Sequence, residues 1–195
     1  MSTPPGRSRR GRRKPLDPAR RAAFDVLRAV SEKDAYANLA LPALLRERGI
    51  SGRDAAFATE LTYGTCRTRG LLDAVIGHAA GRSPDRIDPV LLDLLRLGAY
   101  QLLRTRVEQH AAVSTTVEQA GIEFDSARAG FVNGVLRTIA GRDEAAWVQE
   151  LAPDKAADRA LNRNQRPRLD KSPRQRQIDF FGRLALDARC KDPRK

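Results

Sequence analysis

The stretch that most constrains the fold is the run VLLDLLRLGAYQLL at residues 90–103, which contains only two charged side chains. Asp88 and Pro89 precede it in the order typical of a helix start, a capping carboxylate followed by proline in the first turn. A helix this apolar must be surrounded by other elements, because exposure would leave large apolar patches in water. The sequence therefore predicts a fold built around one central helix.

Helical spacing also dominates elsewhere. Asp17-Pro18 repeats the same start signal before ARRAAFDVLRAV, whose apolar residues form one stripe. Further helices are expected over residues 37–48, over a long stretch at 55–81 that Gly64 and Gly70 are expected to kink, and over 110–124. A break at 81–84 divides these elements into two halves of about three helices each. We therefore predict an all-α protein without a clear strand.

The stretch FVNGVLRTIAG, residues 131–141, contains conflicting signals. Asn133-Gly134 is typical of a tight turn between two strands. At 100° per residue, however, the apolar side chains share one arc of a helix, which is typical of a core face. That face comprises Phe131, Val132, Val135, Leu136 and Ile139. We therefore predict a helix that starts at Ser126 and ends at Gly141 as a C′ glycine.

The opposite side of this helix is a strip formed by Gly130, Asn133, Gly134 and Arg137. Each mid-helix glycine costs about 1 kcal/mol relative to alanine. A strip without side chains lets another backbone approach closely, either a neighbouring helix or an RNA phosphate chain. Packing of a helix is the favoured of these two interpretations.

The basic charge is concentrated at the ends of the chain. The 195 residues carry a formal net charge of +12 and have a pI near 10.7, which suggests a polyanionic partner such as RNA or DNA. Residues 1–15 account for +6 and residues 154–195 for +7, so the part between them is close to neutral. Both ends have the composition of disordered segments. Solvated arms and specific nucleic-acid arms are equally compatible with this pattern.

Arginine-rich arms neutralise phosphates and gain affinity by counterion release. Arg20 and Arg21 continue the N-terminal arm onto the first helix, and two further basic pairs are expected at helix ends. A solvated surface or helix-end pairing is slightly favoured for those two pairs. The RNA-binding candidates are Arg7, Arg9, Arg10, Arg12, Arg13, Lys14, Arg20, Arg21, Arg67, Arg69, Arg104 and Arg106.

No constellation of catalytic or metal-ligating residues stands out. Cys66 and Cys190 are far apart in sequence, and Cys66 is expected to be a small buried hydrophobe. His78 and His110 lack a nucleophilic partner nearby in sequence. We expect no metal, no leader peptide and no membrane-spanning run, and hence a cytoplasmic protein.

Three stretches carry a resemblance to a known family: LRLGAYQLL, HAAVSTTVEQA and FVNGVLRTIA, in this order. Together they resemble the NusB family. The resemblance implies an all-α, RNA-binding domain of two antiparallel three-helix bundles over residues 16–153, with half-bundles at 16–82 and 84–153. It also implies that the arginine-rich start and the first helix form the RNA-binding face. A disordered basic arm at 1–15 and a basic, disordered tail at 154–195 would flank the domain.

Two further stretches separate the subfamilies. ELTYGTCRTRGLLDAVI and His110-Ala111-Ala112 resemble the N-terminal domain of Fmu/Sun (RsmB) type ribosomal RNA cytosine-C5 methyltransferases. The full-length enzymes use S-adenosylmethionine, but this chain has neither their Gly-rich loop nor their catalytic cysteine after proline, so we expect no cofactor and no catalytic residue in it. The resemblance implies a part that positions ribosomal RNA, from a truncated or frameshifted gene.

Two other functions stay open. The first is a NusB-type transcription antitermination or termination factor that binds RNA and a ribosomal protein. The second is residual enzyme activity, which would need a methyltransferase domain supplied in trans.

Overall fold

A computed structural model of the chain describes residues 16–152, so the predicted arm and tail lie outside the described residues. Within that range the fold is all-α, as predicted, and no strand is present. A short 3-10 helix at Pro84–Arg86 occupies the predicted break. The helices are α1 (Pro18–Lys33), α2 (Ala37–Glu47), α3 (Gly52–Ala80), α4 (Pro89–Arg104), α5 (Gln109–Glu123), α6 (Ser126–Ala140) and α7 (Glu144–Leu151).

The predicted start signals act as helix caps. The Asp17 carboxylate accepts a hydrogen bond of 2.8 Å from the Arg20 backbone N–H at the start of α1. The Asp88 carboxylate accepts from the backbone N–H groups of Val90 and Leu91, at 3.0 and 3.2 Å, at the start of α4. Both caps satisfy amide groups that have no partner inside the helix.

Helix α4 is the central element, as its apolar sequence predicts. It packs against α1, α3, α5 and α6, and Leu94, Leu95 and Ala99 are fully buried. Gly98 is the point of close contact with α6, since an added β-carbon would lie 2.9 Å from Leu136 Cδ1. Burial on all sides explains why this helix has almost no polar face.

The main hydrophobic core draws residues from α1, α3, α4, α5, α6 and α7. A smaller cluster joins α1, α2 and α3 through residues such as Ala22, Leu41 and Ala58. The main core combines residues of α1 and α3 with residues of α4 to α7, so it crosses the predicted boundary at 81–84. The division into two three-helix bundles stays a prediction.

Three details differ from the sequence-based expectations. Helix α3 continues through Gly64 and Gly70 without interruption. Trp147 lies within α7, a helix that the sequence analysis did not predict, and its indole N–H donates to the Ile139 carbonyl at 3.1 Å. Gly141 does cap α6, but with a φ of −69°, so it is not the left-handed C′ residue that was expected.

Candidate nucleic-acid interface

Arg20 lies inside the fold rather than on its surface. Its Nε donates a 2.7 Å hydrogen bond to Gln101, which is completely buried on α4. Its guanidinium also lies 3.1 Å from the Asp17 carboxylate and 5.0 Å from the centre of the Phe57 ring. Only 13% of the side chain is exposed. Arg20 therefore ties α1 to α3 and α4 and is a poor candidate for RNA contact.

Arg21 is also engaged with carboxylates. It pairs with Asp25 one turn later and with Glu123 at the end of α5. Asp25 in turn accepts a 2.7 Å hydrogen bond from Arg48, which follows α2. This network joins three parts of the chain and neutralises much of the positive charge that the sequence places on α1.

Arg67 and Arg69 lie in the middle of α3, so the expectation of a helix end was wrong for this pair. Both side chains are exposed. Arg69 is 3.9 Å from the Asp73 carboxylate, a separation typical of a weak surface pair. Arg67 lies within electrostatic reach of the Tyr100 hydroxyl. Both arginines remain accessible to a polyanion.

Tyr100 forms a polar contact between α4 and α3 beside these arginines. Its hydroxyl donates a 2.6 Å hydrogen bond to Glu60. Burial and this hydrogen bond raise the pKa of Tyr100 to about 12. The ring itself is in the core, as expected from its helical spacing.

Arg104 and Arg106 lie at and just beyond the end of α4, as predicted. Arg104 pairs with Glu144 at the start of α7. Arg106 is exposed in the connection to α5 and pairs with no carboxylate of residues 16–152. Arg106 is therefore the more available of the two.

A buried ion-pair network on α4 was missed by the sequence analysis. Arg96 donates to both oxygens of Asp73, at 2.6 and 2.9 Å, and to Asp93 at 2.7 Å. Burial raises the pKa of Asp93, although the Ser31 side chain and Arg96 act in the opposite direction. Only two charges interrupt the apolar run of α4, and at i,i+3 they pair with each other. That spacing is the signal that could have revealed the network.

The strip formed by Gly130, Asn133, Gly134 and Arg137 faces away from the other helices of residues 16–152. A β-carbon added at either glycine would meet no neighbouring element of residues 16–152 within 4 Å. Arg137 donates to the Asn133 side chain at 3.1 Å. Within residues 16–152 no helix packs on the strip, and the close-packed glycines of this part include Gly64 and Gly98 instead.

Two phenylalanines next to this strip carry arginines over their rings. The guanidinium of Arg82 lies 4.6 Å from the centre of the Phe131 ring. That of Arg128 lies 6.0 Å from the centre of the Phe124 ring. Both rings are half-buried, and both arginines are exposed. The sequence analysis assigned Phe131 only to the core and missed its partner, which is distant in sequence.

The remaining candidates do not converge on a catalytic site. Cys66 is half-buried beside the core, and burial raises the pKa of its thiol. His78 packs edge-on against Trp147, with 5.5 Å between ring centres. No group of three potential metal ligands occurs among residues 16–152, and none of their helices is long and apolar enough to cross a membrane.

The fold and surface define an all-α module with exposed arginines on several of its elements. The model of the NusB family matches residues 17–141. The chain belongs to the NusB family, as its three resembling stretches predicted.

Its relatives include longer enzymes. Over 152 residues the chain is 84% identical to a Mycobacterium tuberculosis protein named "Putative methyltransferase"; these residues are 78% of this chain and 33% of that protein. It is 37% identical over 123 residues to ribosomal RNA small subunit methyltransferase B of Thermus thermophilus, covering 63% and 30% of the two chains. The chain thus spans about a third of the length of these relatives.

Solved structures of smaller proteins match as well. A crystal structure of the antitermination factors NusB and NusE with dsRNA matches with a TM-score of 0.58 and 27% identity, covering 63% of this chain and 93% of that one. NusB of T. maritima matches with a TM-score of 0.61 over 71% of this chain and 99% of that one. At 22% identity, the second match supports the fold alone.

Proposed function

We propose that the chain is an RNA-binding module that positions ribosomal RNA for a cytosine-C5 methyltransferase. The observation that carries this proposal is the identity of 33–37% to proteins named ribosomal RNA small subunit methyltransferase B or probable members of that group. The similarity to NusB solved with dsRNA supports an RNA partner for the same fold.

The distribution of charge supports capture by the N-terminal arm. Most arginines of the folded part that were candidates for RNA contact are paired with carboxylates, as Arg20, Arg21 and Arg104 are. Residues 1–15, in contrast, carry six cations and no acid. We expect this arm to supply most of the salt-dependent affinity and the folded part to select the shape of the RNA.

The methyl transfer, with S-adenosylmethionine, would take place on a catalytic domain outside this chain. That domain would be fused in a longer protein or supplied in trans. The interpretation as a truncated or frameshifted gene product stays a prediction. The DNA immediately downstream tests it, because an absence of any frame that encodes such a domain would contradict it.

A filter-binding titration against fragments of small-subunit ribosomal RNA tests the binding proposal. If the six cations of the arm contact phosphates of single-stranded RNA, the logarithm of the binding constant should fall with log salt with a slope steeper by about 4 than without the arm. Deletion of residues 1–15 should remove that difference. An unchanged affinity and slope after deletion would show that the arm does not bind.

One observation favours a second function, that of an antitermination factor. The chain is 27% identical to a NusB chain solved with NusE and dsRNA, with a TM-score of 0.58. Co-purification with a NusE-type ribosomal protein, followed by a boundary determination by limited proteolysis, would support this function. Methyl transfer by the chain alone would contradict both non-catalytic interpretations.

A further inference from the structure

We propose that Arg82, Phe131, Arg128 and Phe124 form a stacking surface for the bases of single-stranded RNA. This stacking surface rests on the proposed RNA-binding function and assigns a second contact site, separate from the N-terminal arm. The proposal depends on three features: the order already present in the arginine side chains, the neighbouring positions of Arg128 and Phe131 on α6, and the exposed glycine strip beside Phe131.

Arg82 is held in a position suited to stacking. It follows Gly81, which ends α3 in the left-handed conformation with a φ of 62°, and its backbone N–H donates to the Gly77 carbonyl at 3.2 Å. Phe131 lies under the guanidinium at 4.6 Å from the ring centre. The Arg82 side chain is exposed to solvent. A guanidinium plane supported on one side by an aromatic ring can receive a base on the other.

The charge of Arg82 is also available. No carboxylate of residues 16–152 forms an ion pair with it, in contrast to Arg20, Arg21 and Arg104. Contact with the Phe131 ring orders the side chain without neutralising it. A phosphate or a base can therefore bind Arg82 without first displacing a protein anion.

The second pair continues the first along one helix face. Arg128 and Phe131 are three residues apart on α6, so their side chains are neighbours on the helix surface. Arg128 lies over Phe124 and pairs with the Asp125 carboxylate at 2.7 Å, with about half of each side chain exposed. The two arginine–phenylalanine pairs, here called the row, are thus linked through the neighbouring positions of Arg128 and Phe131 on α6.

The strip of Gly130 and Gly134 borders Phe131 on the side of α6 away from Arg128. At 100° per residue, Gly134 lies about 60° around α6 from Phe131, and Gly130 lies about 40° further. A β-carbon at either glycine would meet no neighbouring element. A sugar–phosphate backbone can approach the helix over this strip while its bases reach the Arg82–Phe131 pair. The glycine strip adds accessible surface to the proposed site. The groups that would bind the bases are the arginine–phenylalanine pairs.

These features favour single-stranded RNA over a duplex or an apolar protein partner. Stacking needs exposed base faces, which a duplex covers in its interior. An apolar partner would have to bury the charged guanidinium of Arg82 without a carboxylate. The bases of a nucleic acid offer flat faces on which the guanidinium can stack, and its phosphates offer negative charge that the guanidinium can bind.

The test uses the full chain and single-stranded RNA oligonucleotides that carry one 2-aminopurine, whose fluorescence is quenched by stacking. Wild-type protein should quench the fluorescence of the labelled single strand. It should bind the matched duplex more weakly than the single strand. Arg82→Ala should weaken single-strand affinity by roughly tenfold. Arg82→Lys keeps the charge but loses the plane, so it should also lose the quenching.

The matched control is Arg46, an exposed arginine on α2. Helix α2 packs near Ala58 at the start of α3, whereas Arg82 follows the end of that helix. Arg46→Lys and Arg46→Ala should leave the quenching unchanged. Thermal melts followed by circular dichroism confirm that each variant is folded, and Phe131→Leu gives an independent removal of the ring.

The outcomes separate this inference from the proposed function. RNA binding by wild type without quenching, or quenching that survives Arg82→Lys, overturns the stacking surface and leaves the RNA-binding function intact. Absence of any RNA binding by the wild-type chain overturns both. Selective loss of quenching in the Arg82 and Phe131 variants, with the Arg46 variants unchanged, is the expected result.

Discussion

The ring of Tyr100 on α4 occupies the space beside Gly64 on α3 in which a side chain would otherwise lie. A β-carbon at Gly64 would be 2.0 Å from both Cζ and the hydroxyl oxygen of Tyr100. The same hydroxyl donates to Glu60, one turn earlier on α3. The glycine is therefore required by packing between two helices, and not by a turn or a kink.

Substitution Gly64→Ala should lower the free energy of unfolding by roughly 1–3 kcal/mol, because the buried ring must move to admit the methyl group. Gly134→Ala is the matched control on α6. Its β-carbon meets no neighbouring element within residues 16–152, so the better helix propensity of alanine should raise stability by up to about 1 kcal/mol. Urea denaturation measures both, and equal effects at the two glycines would contradict the packing assignment.

Tyr100 should ionise later than an exposed tyrosine. Its pKa is raised to about 12 in the folded protein by burial and by the hydrogen bond to Glu60. The contribution to stability is fully present below the unfolded pKa of about 10 and is lost as pH rises from about 10 to 12. A titration at 295 nm should show a fraction that ionises late. That late fraction should be absent from Tyr100→Phe.

Loss of Arg96 should be more damaging than loss of any surface arginine. Arg96→Met would leave Asp93 buried without its cation, at a cost of about 3–5 kcal/mol. The pKa of Asp93, already raised by burial, would rise further above its unfolded value. The deficit should therefore be smallest at acidic pH, where Asp93 is neutral, and should grow toward pH 7.

Denaturation of Arg96→Met at pH 4.5 and at pH 7 measures this difference. Arg69→Met is the control, because its pair with Asp73 is long and more than half of its side chain is exposed. A deficit for Arg96→Met that does not change with pH would contradict the role of Asp93.

Substitutions at Arg20 and Arg106 should affect different properties, the stability of the fold at Arg20 and the affinity for RNA at Arg106. Arg20→Met removes the hydrogen bond to the buried Gln101, so it should destabilise the fold by roughly 1–3 kcal/mol and leave the RNA affinity of the folded protein nearly unchanged. Arg106→Ala should do the reverse, with a small loss of RNA affinity and unchanged stability. Melting curves and filter binding on both variants measure the two effects, and a large affinity loss in folded Arg20→Met would return Arg20 to the RNA-binding face.

Helix starts and burial patterns could be predicted from particular residues. Asp17-Pro18 and Asp88-Pro89 satisfied amides of their own first turns, and such contacts depend only on neighbours in sequence. The apolar arc of α6 outweighed the Asn133-Gly134 turn signal, because one helix face buries several side chains together. The short helix around Trp147 was missed because few residues carry its periodicity.

The roles of the arginines could not be predicted in this way. Arg20 joins helices, Arg82 covers an aromatic ring and Arg96 pairs in the interior. Their partners Gln101, Phe131 and Asp73 are 81, 49 and 23 residues away. No short-range pattern contains such pairs.

The sequence by itself determined the all-α class, the central position of α4 and the family, because helical periodicity, capping and resembling stretches are properties of adjacent residues. Only the tertiary structure decided which cations are paired with carboxylates and which glycines have a side chain of another helix packed against them. Gly64 and Gly130 both lie within helices and differ only in what packs against them. Burial and ion pairing depend on distances between elements, and these exist only once the helices are assembled.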